Sequence, residues 1–210
     1  PPMILTRDTS YIGTLIDDLV TKGTREPYRI MTSRSEYRLL HRQDNADQRL
    51  TAIGAKVGLI PPERLKAVEE KYAAVKREIS RLEGSGIPRS AALNEMLASR
   101  DTAPVENSAR LADLLRRPQV SYEDLAPFDK DRPELPLSVT EEVEIQLKYA
   151  GYLARQEKQV AEFRKEEARL LPEDIDYNAI SGLRLEARQK LSEIRPVSLG
   201  QAGRISGVSP

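Results

Sequence analysis

The chain is predicted to be mostly α-helical: short helices first, then a long-helix hairpin, then a C-terminal helical bundle, with little or no sheet. Three observations predict this. Apolar residues recur at spacings of three and four through most of the sequence. A helix-start pattern, Ser33-x-x-Glu36, stands in the first segment. Nothing in the sequence reads as a sheet, although residues 22–31 could be extended. The elements divide into three regions, 1–60, 61–136 and 137–210.

In the first region Ile12, Leu15, Ile16 and Leu19 share one face of a helix over Tyr11 to Val20. In a capping box the Ser33 hydroxyl and the Glu36 carboxylate would satisfy helix-start amides reciprocally, worth about 1 kcal/mol. A helix is therefore expected from Arg34 to Arg42. Asp44 and Asn45 break it and can start another, whose apolar positions Leu50, Ile53 and Val57 end at Gly58.

The second region opens at Pro61-Pro62 with a coiled-coil seam: Leu65, Val68, Tyr72, Val75, Ile79 and Leu82 recur at alternating steps of three and four. Burying each of these side chains is worth roughly 1.5 to 3 kcal/mol, which requires a partner helix. Gly84-Ser85-Gly86 ends the seam. Six of the fourteen prolines then fall between Pro88 and Pro136, so only short helices fit there, such as Ser108 to Arg117. In the third region no proline interrupts Leu137 to Leu171, and Val139, Val143, Leu147, Ala150, Leu153, Val160 and Phe163 mark a broad apolar face. This longest helix matches the seam in length and suits an antiparallel pairing with it. Shorter helices follow near Asp174 to Ser181 and from Arg184 to Ile194.

Composition narrows the function. The 33 lysines and arginines equal the 33 aspartates and glutamates, so any pull on a polyanion must come from local clustering. The lack of cysteine excludes disulfides, thiolate metal sites and a cysteine nucleophile, and His41, the one histidine, cannot form a metal cluster. No apolar run approaches the roughly 18 to 20 residues that span a bilayer. The expectation is a cytoplasmic protein with no membrane contact. Because the chain opens on Pro1-Pro2 and closes on Ser209-Pro210, a helix-start signal with no helix after it, it is read as a fragment.

Charge does cluster once. Between Lys22 and Arg42 six basic residues (Lys22, Arg25, Arg29, Arg34, Arg38, Arg42) face two acidic ones (Glu26, Glu36), a local excess of four positive charges. On the expected helix Arg34, Arg38 and Arg42 would share a face suited to phosphates. Tyr28 and Tyr37 interleave and could stack on unpaired bases. The alternative is that the arginines pair with Glu26, Glu36, Asp44 and Asp47 to hold short helices together, which would make the chain a purely structural protein-interaction module. Other leads are weaker. The glycines from Gly200 to Gly207 lack dinucleotide-loop spacing and suit close packing or a tight turn. The same stretch resembles the start of a helix-turn-helix without its recognition helix. Asp17-Asp18 and Glu141-Glu142 read as solvated faces, and His41 as a surface or packing histidine.

A longer pattern runs through these residues. Glu26-Pro27-Tyr28-Arg29, Thr32-Ser33-Arg34-Ser35-Glu36-Tyr37-Arg38-Leu39-Leu40 and Asp44-Asn45-Ala46-Asp47 together resemble a signature of the MnmG/GidA family of tRNA wobble-uridine modification enzymes. The likeness extends over nearly the whole chain, through Tyr11 to Leu19, Leu114 to Pro118, Val143 to Tyr149, Leu171-Pro172, Asp176-Tyr177 and Gly200 to Ala202. The resemblance implies a homodimeric enzyme that holds FAD in a separate Rossmann-type domain, uses NADH and a methylene-folate donor, and works with the GTPase MnmE on tRNA. This chain would be its C-terminal docking part, without catalytic, cofactor or metal residues of its own. Arg29, Arg34, Arg38 and Arg42 match basic positions of the signature, and with Lys22, Arg25, Tyr28 and Tyr37 they form the expected tRNA contact. His41 and Gly203 depart from it, standing where an apolar residue and a serine are expected.

Overall fold

A computed structural model describes residues 3–21, 24 and 26–208. Its helices are α1 (Tyr11–Thr21), α2 (Ala46–Lys56), α3 (Pro62–Gly84), α4 (Ala91–Ser99), α5 (Leu111–Leu115), α6 (Leu137–Glu167), α7 (Leu185–Ile194) and α8 (Leu199–Arg204). Two short strands, β1 (Gly86–Ile87) and β2 (Ala109–Arg110), pair antiparallel, Gly86 with Arg110 and Ile87 with Ala109. The class is mostly α, as the periodicity predicts. No helix among the described residues is long and apolar enough to cross a membrane. The chain forms two compact units, one of residues 44–152 and one of residues 1–43 with 153–210.

In the unit of residues 44–152, α3 starts with Pro62 in its first turn, where a missing N–H costs nothing, and its end is closed by the Ser85 N–H on the Arg81 carbonyl. The seam finds its partners in α2 along its first part and in α5 further on. Val75 and Leu82 of α3 join Leu93 and Leu97 of α4, Leu111, Leu114 and Leu115 of α5, and Val139, Val143 and Leu147 of α6 in one buried core. Ser90 caps α4 by accepting from the Leu93 N–H at 3.1 Å. The helix expected over Ser108 to Arg117 is shorter, because Ala109 and Arg110 are taken up by the strand pair. Ala150, expected on the inner face of α6, is exposed. Glu142, expected in solvent, is 2% exposed and accepts from the Gln146 side-chain amide at 2.8 Å.

Polar contacts fasten α2 to α3. The Tyr72 hydroxyl donates to Asp47 Oδ1 at 2.7 Å and Lys71 Nζ to Asp47 Oδ2 at 3.0 Å. Burial alone would raise the Asp47 pKa, but these two hydrogen bonds outweigh it and hold the carboxyl below its ordinary value. A carboxyl depressed in the folded state stabilises the fold above its unfolded pKa of about 3.9 and stops doing so as pH falls through the lower folded value. Asp47→Asn should therefore cost about 1 kcal/mol of unfolding free energy near pH 7. The cost should shrink well below that near pH 2. Urea unfolding at the two pH values measures it, and an equal loss at both would show that the charge contributes nothing.

In the unit of residues 1–43 and 153–210, Tyr177, Leu191, Ala202 and Ile205 form a second core. Ser198, 1% exposed, caps α8 by accepting from the Gln201 N–H at 3.1 Å. The Leu171 N–H donates to the Val197 carbonyl at 3.0 Å and the Leu199 N–H to the Arg169 carbonyl at 2.9 Å, tying the end of α6 to the start of α8. Gly200 sits against Glu167: a β-carbon there would lie 2.1 Å from Glu167 Oε1. Gly200 and Gly207, the latter against Glu186, thus serve packing, whereas Gly203 faces open space. Between Asp174 and Ser181 the structure has only a 3-10 turn, Tyr177–Ala179, opened by the Asp176 side chain accepting from the Asn178 N–H at 2.9 Å. A one-residue-shifted turn of this kind satisfies the local amide without propagating a helix.

Helix α1 is where expected, but its apolar strip faces outward. Ile12, Ile16, Leu19 and Val20 are exposed, whereas Gly13, Thr14, Asp18 and Thr21 are buried. The capping box expected downstream does not form either. Residues Thr32–Arg34 make one 3-10 turn, Ser35 is extended at φ −94° and ψ 122°, and residues 36–40 turn without becoming helical. The Glu36 carboxylate, instead of closing a helix start, accepts from Arg7 Nη2 at 2.7 and 3.0 Å. The Ser35 hydroxyl accepts from the Tyr37 N–H at 3.3 Å. A charge-assisted bond to a buried guanidinium outweighs a cap worth about 1 kcal/mol, so a loop replaces the helix. The i, i+4, i+8 spacing of Arg34, Arg38 and Arg42 no longer defines one face.

Candidate nucleic-acid interface

The loop that carries the basic residues is fastened by an arginine that local sequence patterns do not single out. Arg7 is 2% exposed. Its Nη1 donates to Asp18 Oδ1 at 2.7 Å and Asp17 Oδ2 at 3.0 Å, and its Nη2 reaches Glu36 and, at 3.4 Å, the Arg34 carbonyl. Burial works against this charge, yet the hydrogen bonds to Glu36 and Asp18 outweigh it and raise the Arg7 pKa above its ordinary value. Asp17 is shared with Arg204, whose Nη2 and Nε lie 2.9 and 3.0 Å from it and whose Nη1 lies 2.5 Å from Glu167. Asp8, also buried, accepts from Arg164 at 2.8 Å. The Asp17-Asp18 pair, expected in solvent, is therefore part of a largely buried ion network. Arg7 stands 10 residues from Asp17 and 11 from Asp18, and Arg204 stands 187 from Asp17, which is why a local charge count cannot find the network.

Above this network Arg29, Arg34 and Arg38 are exposed, and among the described residues no carboxylate pairs with them. Arg34 lies over the Tyr28 ring, 5.6 Å from its centre, in a cation–π arrangement. The Tyr28 hydroxyl donates to Asp18 Oδ2 at 2.6 Å. Burial first and Asp18 second push the Tyr28 phenol up to about 12, so it stays a donor through the neutral range. Arg42 is half-buried and donates to the Leu39 carbonyl at 2.7 Å, which turns it toward its own loop. Lys22 and Arg25 lie outside the described residues.

Tyr37 is in the interior. It is 7% exposed, with its ring 5.8 Å from Phe163 and 6.4 Å from His41. Burial raises its phenol pKa. A ring in that position packs the loop against α6 and is not presented to a base. His41 is a packing histidine: it is 4% exposed, edge-on to Tyr11 at 5.6 Å, with Nδ1 3.1 Å from the Ser35 hydroxyl. Among the described residues no group of three or more His, Cys, Asp or Glu could hold a metal ion.

Two family models match this chain: the C-terminal helical domain of the tRNA modifying enzyme MnmG/GidA over residues 62–157, and the C-terminal helical bundle of the same enzyme over residues 159–210. The chain belongs to the MnmG/GidA family. It is 54% identical over 208 residues to the tRNA uridine 5-carboxymethylaminomethyl modification enzyme MnmG of Caldicellulosiruptor saccharolyticus, covering 99% of this chain and 33% of that protein. It is 51% identical over 212 residues to the enzyme of the same name from Geobacillus thermodenitrificans, again covering 99% of this chain and 33% of that protein. The structure of Aquifex aeolicus GidA in its form II crystal superposes with a TM-score of 0.78 at 40% identity, covering 100% of this chain and 32% of that one. The chain thus spans about a third of the length of the MnmG relatives it matches.

Proposed function

We propose that this chain is the tRNA- and partner-docking region of a flavin-dependent enzyme that adds a carboxymethylaminomethyl group to the wobble uridine of tRNA. One observation carries the reading: Arg29, Arg34 and Arg38 are exposed without a carboxylate partner among the described residues, on a loop that a buried ion network holds in place. Guanidiniums left unmatched beside so many matched ones are suited to phosphate, which they can grip with two parallel N–H donors. Arg29, Arg34 and Arg38 supply the charge, and Lys22 and Arg25 add to it from the same segment. Arg42, Tyr28 and Tyr37 support the loop rather than the RNA. FAD and NADH belong outside this chain. Gly200 and Gly207 are packed against Glu167 and Glu186, so this glycine-containing stretch does not fit a dinucleotide pyrophosphate. Homodimerisation and pairing with the GTPase MnmE are properties of the full-length protein in the same reading, as is a cytoplasmic location.

The test is tRNA binding by the full-length enzyme over a range of salt concentrations. Each lost phosphate contact lowers the slope of log affinity against log salt by roughly 0.7 to 0.9, so the doubly substituted Arg34→Gln, Arg38→Gln enzyme should lose about twice that. A slope equal to that of the unsubstituted enzyme would leave the chain a structural interaction module with no direct RNA contact.

A further inference from the structure

Both ends of Arg34 lead to the same buried ion pair, Arg7 and Asp18, one directly and one through Tyr28. Its carbonyl accepts from Arg7 Nη2 at 3.4 Å, and its guanidinium rests over the Tyr28 ring. That ring is fixed in turn: its hydroxyl donates to Asp18 Oδ2, while Asp18 Oδ1 accepts from Arg7 Nη1 at 2.7 Å. Asp18 is 1% exposed, so its two oxygens work away from bulk water, where an ionic hydrogen bond is strong and directional. A guanidinium on an aromatic face keeps its N–H edge free for a second, planar acceptor. Free arginine side chains lose rotamer freedom when they bind, and a seat that restricts them beforehand removes part of that loss.

We propose that Asp18 and Tyr28 are positioning residues that hold the Arg34 guanidinium in a set orientation for an RNA phosphate, so that Tyr28 acts through Arg34 and not by stacking on a base. This rests on the tRNA reading above. It assigns a task to a buried carboxylate and to a phenol hydroxyl that need not touch RNA. Replacing Tyr28 by Phe leaves the ring and removes only the link to Asp18.

The experiment is a double-substitution cycle in the full-length enzyme, with tRNA affinity measured for Tyr28→Phe, Arg34→Gln and both together. Tyr28→Phe alone should weaken binding by about two- to tenfold, the range expected for freeing one long side chain. In the Arg34→Gln background it should weaken binding no further. A merely structural role would give the same loss in both backgrounds, and direct stacking on a base, which the phenyl ring preserves, would give no loss in either; each of these results overturns the proposal. If Arg34→Gln weakens binding and Tyr28→Phe does not, the proposal fails while the tRNA reading stands. If Arg34→Gln changes neither affinity nor salt slope, the proposal fails, and if the doubly substituted Arg34→Gln, Arg38→Gln enzyme is also unchanged, the tRNA reading fails with it.

Discussion

Replacing Arg7 by Met is expected to lower the unfolding free energy by about 3 to 5 kcal/mol, the range for removing one partner from a buried ion pair. The two shapes are similar in length, so the loss comes from charge. Asp18, at 1% exposure, would keep the Tyr28 hydroxyl but lose the Arg7 guanidinium, and Asp17 would keep Arg204. Glu36 is half exposed and can turn to water, which releases residues 34–37 from α1. Arg7→Lys keeps the charge but cannot fork between Asp18 and Glu36, so it should recover only part of the loss. Urea unfolding followed by circular dichroism measures both. A loss below about 1 kcal/mol for Arg7→Met, the worth of an exposed pair, would show that the network is not what holds the loop.

The second large effect is expected one turn away, at Gly13. A β-carbon on this residue would lie 2.2 Å from the Thr6 carbonyl oxygen, 2.5 Å from its carbon and 2.7 Å from the Leu5 oxygen. These atoms are backbone, and the Thr6 carbonyl is itself engaged, accepting from the Thr9 and Ser10 N–H groups at 3.0 and 3.3 Å. Moving it would break that turn, and moving α1 would pull Asp18 from Arg7. Gly13→Ala should therefore cost about 3 kcal/mol, the upper end for overpacking, even though alanine favours a helix by up to about 1 kcal/mol over glycine. Thermal unfolding of the substituted chain decides it. An unchanged or higher midpoint would mean that the turn and the helix part without cost.

Both expectations concern features that periodicity could not reveal, whereas helices with one-sided burial were legible. The step pattern of Leu65 to Leu82 located α3, the proline-free run from Leu137 located α6, and Arg184 to Ile194 located α7 to within a residue. Each depends on neighbours three or four positions apart, the scale on which sequence carries a helix. Helix α1 was located by the same rule, but its orientation was not, because what lies inside is a glycine touching backbone and an aspartate meeting a distant arginine. The helix over 34–42 failed for a related reason. Glu36 had a local partner in the capping pattern and a stronger one at position 7, 29 residues earlier. The exposed arginines themselves were found by counting charge, and that count did not depend on the helix being there. Tyr37 could not be told from Tyr28 by sequence, since nothing local says which ring meets Phe163.

The Asp17–Arg204 pair spans 187 positions, nearly the whole length of the chain. Contacts of that separation are slow to close, because a large loop must be drawn together before anything is gained. During synthesis the first helix must therefore wait, with its acidic side uncompensated by Arg204, until the ribosome has reached that residue, 187 positions beyond Asp17. The unit of residues 44–152 is one continuous stretch, so it can form while the other unit still lacks its second segment, residues 153–210.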